Sequence, residues 1–273
     1  MKNLMVVFDA IDYPEHLIRY AVALAKADHS TLQLTVRSRD LTLQDLSYPM
    51  PGEPTAVAIQ HIALENYSQK DEETIQGNFK LIKDECLKAS VSCVGDPSEN
   101  LTTEELIDRS AFADLVLMDS TTALKDGSRE KLTLGSHCPV LLVSKSSNVP
   151  KRAILCYDES FSSIYAIKMY SYLFPQWKNL PTHVVTINAK GDNGDDQFRY
   201  LQGWLPQHFS QLTRHILEGN LQKELLGFLR RDDQSSLVVM GAYGGNSISR
   251  LFHKSLANIL LEETQAAVFI MHE

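Results

Sequence analysis

Short runs of Val, Ile, Leu and Met alternate with longer stretches in which apolar residues recur every three or four positions, and the alternation persists along the whole chain. Runs of this length that are apolar throughout suit strands buried on both faces of a parallel sheet, and the 3/4-spaced stretches suit the helices that cover them. The pattern predicts an α/β fold with strands at 4–8, 32–36, 91–94, 115–118 and 140–143, and again at 153–156, 183–187, 215–217, 237–240 and 268–271.

The two sets superpose, so the chain is one pattern written twice. Asn3-Leu-Met-Val-Val-Phe-Asp9 lies over Arg152-Ala-Ile-Leu-Cys-Tyr-Asp158, Asp114-Leu-Val-Leu-Met118 over Ser236-Leu-Val-Val-Met240, and Pro139-Val-Leu-Leu-Val143 over Ala267-Val-Phe-Ile-Met271. The expected organisation is two tandem open five-stranded parallel sheets, one in residues 1–147 and one in residues 150–273. The polar segment 144–150 is read as an exposed linker between them.

Two differences in length separate the copies. Between its second and third strands the first is the longer, through the turn-rich Tyr48-Pro-Met-Pro-Gly-Glu-Pro54 and an extended helix around 59–86. That insertion, 39–66, is expected to cover part of the first half's crevice or to form a partner surface. Between the fourth and fifth strands the second copy is the longer, and the added residues carry glycines.

Charge changes the picture. The formal net charge is -8, which opposes nucleic acid and anionic membrane as general partners. All of it falls in residues 1–149, with 14 Lys+Arg against 22 Asp+Glu, whereas residues 150–273 hold 12 of each. Only the second half avoids repelling a polyphosphate. No apolar stretch approaches the roughly 18 residues of a membrane span, and the first residues read as a strand rather than a leader, so a cytoplasmic location is expected. Cys86, Cys93, Cys138 and Cys156 lack CxxC or Cys/His metal spacing and are expected to be reduced structural cysteines.

In an open parallel sheet a ligand binds beyond the carboxyl ends of the strands, where the strand order reverses. In the second half this places Asp158 after the first strand and Gly241-Ala-Tyr-Gly244-Gly-Asn-Ser-Ile-Ser-Arg-Leu-Phe-His-Lys-Ser255 after the fourth. Gly241 and Gly244 allow a backbone to approach a phosphate closely. Ser255 precedes the apolar Leu256, Ile259 and Leu260, and reads as the N-cap of a helix whose free N–H groups suit an anion. Arg250 and Lys254 are the charges between Gly241 and Ser255, with no acid. Asp158 and Asp9 are equally readable as caps of the helices that follow, and His253 and His272 as surface or strand-end residues. Ser160, Ser162 and Ser163 lie near a strand end without a Gly-x-Ser-x-Gly elbow, and no metal site is expected.

The spacing Gly241-x-x-Gly244, nine residues, Lys254-Ser255 and an apolar strand resembles the Gly-2x-Gly-9x-Gly-Ser/Thr signature of ATP-binding universal stress proteins. Val94-Gly95-Asp96-Pro97 resembles that family's third-strand turn, and the likeness spans nearly the whole chain as a tandem pair. The resemblance implies a Rossmann-like fold and an adenine nucleotide, ATP or a relative, held by Cys156, Tyr157, Asp158, Met240, Gly241, Gly244, Lys254 and Ser255. Asp158 would meet the adenosine and the glycine segment the ribose and phosphates. It also implies an intramolecular pseudo-dimer joined through the last strands, 140–143 and 268–271, with a further homodimer and a regulatory protein partner. Two positions depart from the signature: Lys254 stands where the third glycine is expected, and the first half has Asp119-Ser-Thr-Thr-Ala123 with six residues fewer.

The expected function is therefore a non-enzymatic stress-response regulator that binds nucleotide in its second half. A nucleotide-free interaction module of the same fold is the alternative, and an ATP-hydrolysing enzyme would need a base or metal beside the phosphate that the motif does not supply.

Overall fold

The computed structural model describes residues 2–9, 12–37, 54–99, 101–120, 128–187, 196–231, 235–242 and 257–271. The first half runs β1 (Asn3–Phe8), α1 (Glu15–Asp28), β2 (Thr31–Val36), α2 (Pro54–Ala89), β3 (Ser92–Val94), α3 (Thr103–Ser110), β4 (Leu115–Asp119), α4 (Ser128–Gly135) and β5 (Val140–Val143). The second repeats the series as β6 (Arg152–Cys156), α5 (Phe161–Leu173), β7 (Pro181–Ile187), α6 (Asp196–His208), β8 (Gln211–Leu217), α7 (Leu221–Leu229), β9 (Ser236–Gly241), α8 (Ala257–Glu263) and β10 (Ala267–Met271). Every strand that the hydrophobic pattern predicts is present. β8 is the one it underestimates most, because its outer residues Gln211, Thr213 and Arg214 are exposed and polar.

All ten strands form one sheet in the order β3-β2-β1-β4-β5-β10-β9-β6-β7-β8. Neighbours are parallel except at the centre, where β5 and β10 run antiparallel with Leu142 opposite Val268, Leu141 opposite Phe269 and Val140 opposite Ile270. The last strands of the two halves are thus neighbours, and the edge that each half would otherwise expose is covered by the other. The segment read as an exposed linker is exposed at Lys145, Ser146, Asn148 and Val149 but also docked. Ser144 and Ser147 are buried, Ser147 Oγ donates to Ala266 O at 2.9 Å, and Ser146 Oγ donates to Thr264 O at 3.1 Å, so the turn is fastened to the start of β10.

Side chains alternate across the sheet into two apolar layers. Leu4, Val6, Phe8, Leu141, Val143, Leu155, Val239 and Phe269 face α1, α2, α5 and α6. Met5, Val7, Met118, Leu142, Ile154, Val238 and Val268 face the α3, α4, α7 and α8 side. Tyr170 of α5 is fully buried in the first layer, stacked on Phe209 at 5.8 Å between ring centroids and edge-on to Phe269 at 6.2 Å.

Local signals fix the helix ends. The Thr102 side chain accepts from Glu105 N while Glu105 accepts from Thr102 N at 2.8 Å, a reciprocal cap that starts α3. Asn220 caps α7 through Lys223 N at 3.1 Å. α1 stops where His29 turns left-handed and its N–H returns to Ala25 O. The long helix expected around 59–86 is α2, and the insertion 39–66 divides: residues 39–53 lie outside the described residues and 54–66 belong to α2.

On β7 and β8, His183 Nδ1 and His215 Nε2 lie 2.9 Å apart beside the Phe228 ring. Desolvation, then the Arg231 charge, holds His215 below its ordinary value. The unfolded chain therefore binds this proton more readily than the folded one. The stability contributed is whole above the unfolded value of about 6.5 and is lost as pH falls through it toward the folded value. Chemical denaturation at pH 7.5 and 5.5 should show a smaller acid-side loss for His215→Gln than for the parent chain, and an unchanged loss would refute the assignment.

Candidate functional site

In each half the strand order reverses between the first and fourth strands of the series, β1 and β4 or β6 and β9. The crevice beyond their carboxyl ends is where a parallel sheet of this kind offers helix starts and loop backbone to a ligand.

In the second half β6 passes into Tyr157 and Asp158. Cys156 and Tyr157 are buried on opposite faces, Cys156 in the α7/α8 layer and Tyr157 in the α5 layer, with Tyr157 N donating to Val185 O at 2.9 Å. Burial, reinforced by the nearby Asp158 charge, pushes the Cys156 thiol up to about 12. Met240 likewise points into the α7/α8 layer. These three hold the crevice floor in place, and their side chains belong to the core.

Asp158 is half-buried and its carboxylate accepts the N–H of Ser160 at 3.1 Å, as well as the Ser160 hydroxyl. Ser160, not Asp158, caps α5, since its Oγ accepts Ser163 N at 3.1 Å and Ser163 Oγ donates back to Ser160 O at 2.8 Å. The reading of Asp158 as the cap is corrected accordingly: it braces the capping serine from one residue outside the turn, across Glu159 at a φ of 65°.

Gly241 ends β9 on the same side of the sheet. A Cβ there would lie 2.6 Å from Ser162 C and from Ser163 N. The space left by the missing side chain is thus taken by the first turn of α5, so this glycine serves helix–strand packing. Ala242 continues the strand by donating to Met271 O at 2.8 Å. The structure brings Asp158, the Ser160–Ser163 turn and Gly241 together at one strand-order reversal. Gly244, Lys254 and Ser255 lie outside the described residues.

The first half fills the equivalent place differently. Asp119 occupies the position of Gly241, is buried, and lies with Oδ1 3.0 Å from Nε2 of His16 in the first turn of α1. Arg129 donates to the adjacent Ser120 carbonyl. A buried carboxylate on an imidazole therefore stands where the second half has bare backbone against backbone. Sequence reading missed this pair, because His16 and Asp119 are a hundred residues apart and neither carries a motif. It also passed over Thr186 near the end of β7, whose Oγ1 is buried with no hydrogen-bond partner among the described residues. Among those residues there is no cluster of three or more His, Cys, Asp or Glu suited to a metal, and no helix long and apolar enough to cross a membrane.

No family model matches the chain, and no curated protein matches it. Solved structures do. A universal stress protein from Archaeoglobus fulgidus is 13% identical with a TM-score of 0.65, over 100% of this chain and 96% of that one. A functionally unknown protein from Pseudomonas aeruginosa is 15% identical with a TM-score of 0.56, over 100% and 92%. The cytoplasmic domain of a prokaryotic cation chloride cotransporter is 12% identical with a TM-score of 0.54, over 98% and 94%. At these identities the likeness is one of fold. The chain has the fold of tandem universal stress proteins, which its motifs had led us to expect.

Proposed function

We propose that this chain is a stress-response regulator that binds one adenine nucleotide, ATP or a relative, at the carboxyl ends of β6 and β9. In this reading Asp158 meets the nucleoside, Gly244, Lys254 and Ser255 surround the phosphates, and Gly241 lets β9 pack against the start of α5 at the edge of that site. Its output is an altered surface for a regulatory protein partner or a second copy of the chain.

The observation that supports it is the asymmetry of the two crevices. A phosphate approaching the first half meets the buried Asp119 carboxylate, whereas the matching position of the second half is Gly241 beside the capped start of α5. The charge balance points the same way, since residues 150–273 carry equal numbers of acids and bases. A nucleotide-free interaction module is the second reading. Lys254 in place of a motif glycine favours it, as does the occurrence of the fold in a cotransporter's cytoplasmic domain.

Calorimetry with ATP decides between them. One site per chain is expected, with affinity reduced about tenfold by Asp158→Ala and about 30-fold by Gly244→Asp, which sets a like charge where phosphate arrives. Asp119→Asn should leave the affinity unaltered. Two sites per chain would refute the asymmetry, and no heat with the parent protein would establish the interaction module.

A further inference from the structure

Cys86 and Cys93 flank the turn that joins α2 to β3 at the outer edge of the sheet. Cys86 lies in the last turn of α2, buried against the same apolar layer as Phe79 and Ile82. Cys93 sits opposite Leu32 of β2, a residue of that layer, so its side chain faces α2, and it is only partly buried. The connection folds tightly back on itself: Val91 N donates to Cys86 O at 2.9 Å and Ser90 N to Leu87 O at 3.0 Å, with Ser90 at a φ of 59°. This return brings the two thiols into hydrogen-bonding contact with each other.

We propose that Cys86 and Cys93 form a peroxide-reactive dithiol, with Cys93 as the attacking thiolate and Cys86 as the resolving thiol. The geometry supplies what such a pair needs: one partly exposed sulfur and one buried sulfur in contact with it. The electrostatics assign the roles. The hydrogen bond from Cys86, and after it the Lys83 ammonium one turn earlier in α2, hold the Cys93 thiol below its ordinary value. The same hydrogen bond and burial push Cys86 up. The thiolate is the nucleophile, so reactivity concentrates on Cys93.

The chemistry balances with hydrogen peroxide as oxidant. The Cys93 thiolate attacks the peroxide, an S–O bond forms as the O–O bond breaks, and the departing hydroxide takes a proton to leave as water. The Cys86 sulfur then attacks the resulting sulfenic acid. An S–S bond forms, the S–O bond breaks, and a second water leaves with the Cys86 proton. Two thiols and one peroxide become one disulfide and two waters, which ties the edge strand β3 to α2. A thiol reductant reverses it.

Cys138 and Cys156 are internal controls, because both are buried and burial holds their thiols up, to about 11 and about 12. Tryptic cleavage after Lys88 separates the reactive pair into peptides 84–88 and 89–109. The full-length protein is treated with graded hydrogen peroxide, alkylated and digested. The expected product is a cross-link between those two peptides, forming about tenfold or more faster than oxidation of Cys138 or Cys156, and reversed by dithiothreitol. Cys86→Ser should leave a Cys93 sulfenic acid that dimedone traps, and Cys93→Ser should leave Cys86 reduced. The parent-chain experiment does not depend on how either variant folds. If the two thiols stay reduced while Cys138 or Cys156 oxidises, or if all four react at one rate, the proposal is overturned.

Discussion

Gly241→Ala is expected to destabilise the chain by about 1–3 kcal/mol, the range for a group forced into a packed interior. The added Cβ would stand 2.6 Å from Ser162 C and Ser163 N. Both are backbone atoms of a capped helix, so no side chain can swing aside and α5 itself must move. The displacement would also disturb the Ser163-to-Ser160 cap at 3.1 Å and, through Ser160, the bracing of Asp158. Gly227→Ala is the matched comparison. Gly227 lies inside α7 with nothing within 4 Å of an added Cβ. There, alanine should stabilise by about 0.5–1 kcal/mol, through helix propensity and a less flexible unfolded chain. Urea denaturation of the two variants should give opposite signs, and two losses of the same size would show that Gly241 has no special packing role.

Phe269→Ala should have a larger effect, about 3–5 kcal/mol. The residue is fully buried on β10, edge-on to Tyr170 at 6.2 Å and to Phe174 at 6.1 Å, and lies opposite Leu141 of β5. Its loss leaves a cavity at the seam between the halves, where aromatic rings of the second half share a layer with Leu141 and Val143 of the first. Both halves should therefore lose stability together. Both tryptophans, Trp177 and Trp204, belong to the second half, so their fluorescence reports that half while far-ultraviolet dichroism reports the whole chain. Coincident transitions, both displaced by the substitution, are the expected result. A shift in fluorescence alone, with dichroism showing a second unchanged step, would mean that the halves unfold independently.

The sequence by itself determined the elements, because the inner strands are buried on both faces and so must be written as unbroken apolar runs between amphipathic helices, while the outer β3 and β8 are partly exposed. The repeat made the two halves legible as copies and the apolar runs marked 140–143 and 268–271 as strands, but that these two meet at the centre was implied only by the family resemblance. Neither their antiparallel pairing nor its register could be read from them, since an all-apolar strand looks the same from either direction. Function was legible only as a motif. Gly241 reads as room for a phosphate in one dimension, and only the packing of β9 on α5 shows which backbone fills that room. Asp158 reads equally as a cap or a ligand contact, and tertiary structure alone gave the cap to Ser160. The His16–Asp119 pair and the Cys86–Cys93 contact had no signature at all. Such pairs are made by chain reversal and helix–sheet packing, which bring together residues whose spacing along the chain carries no period.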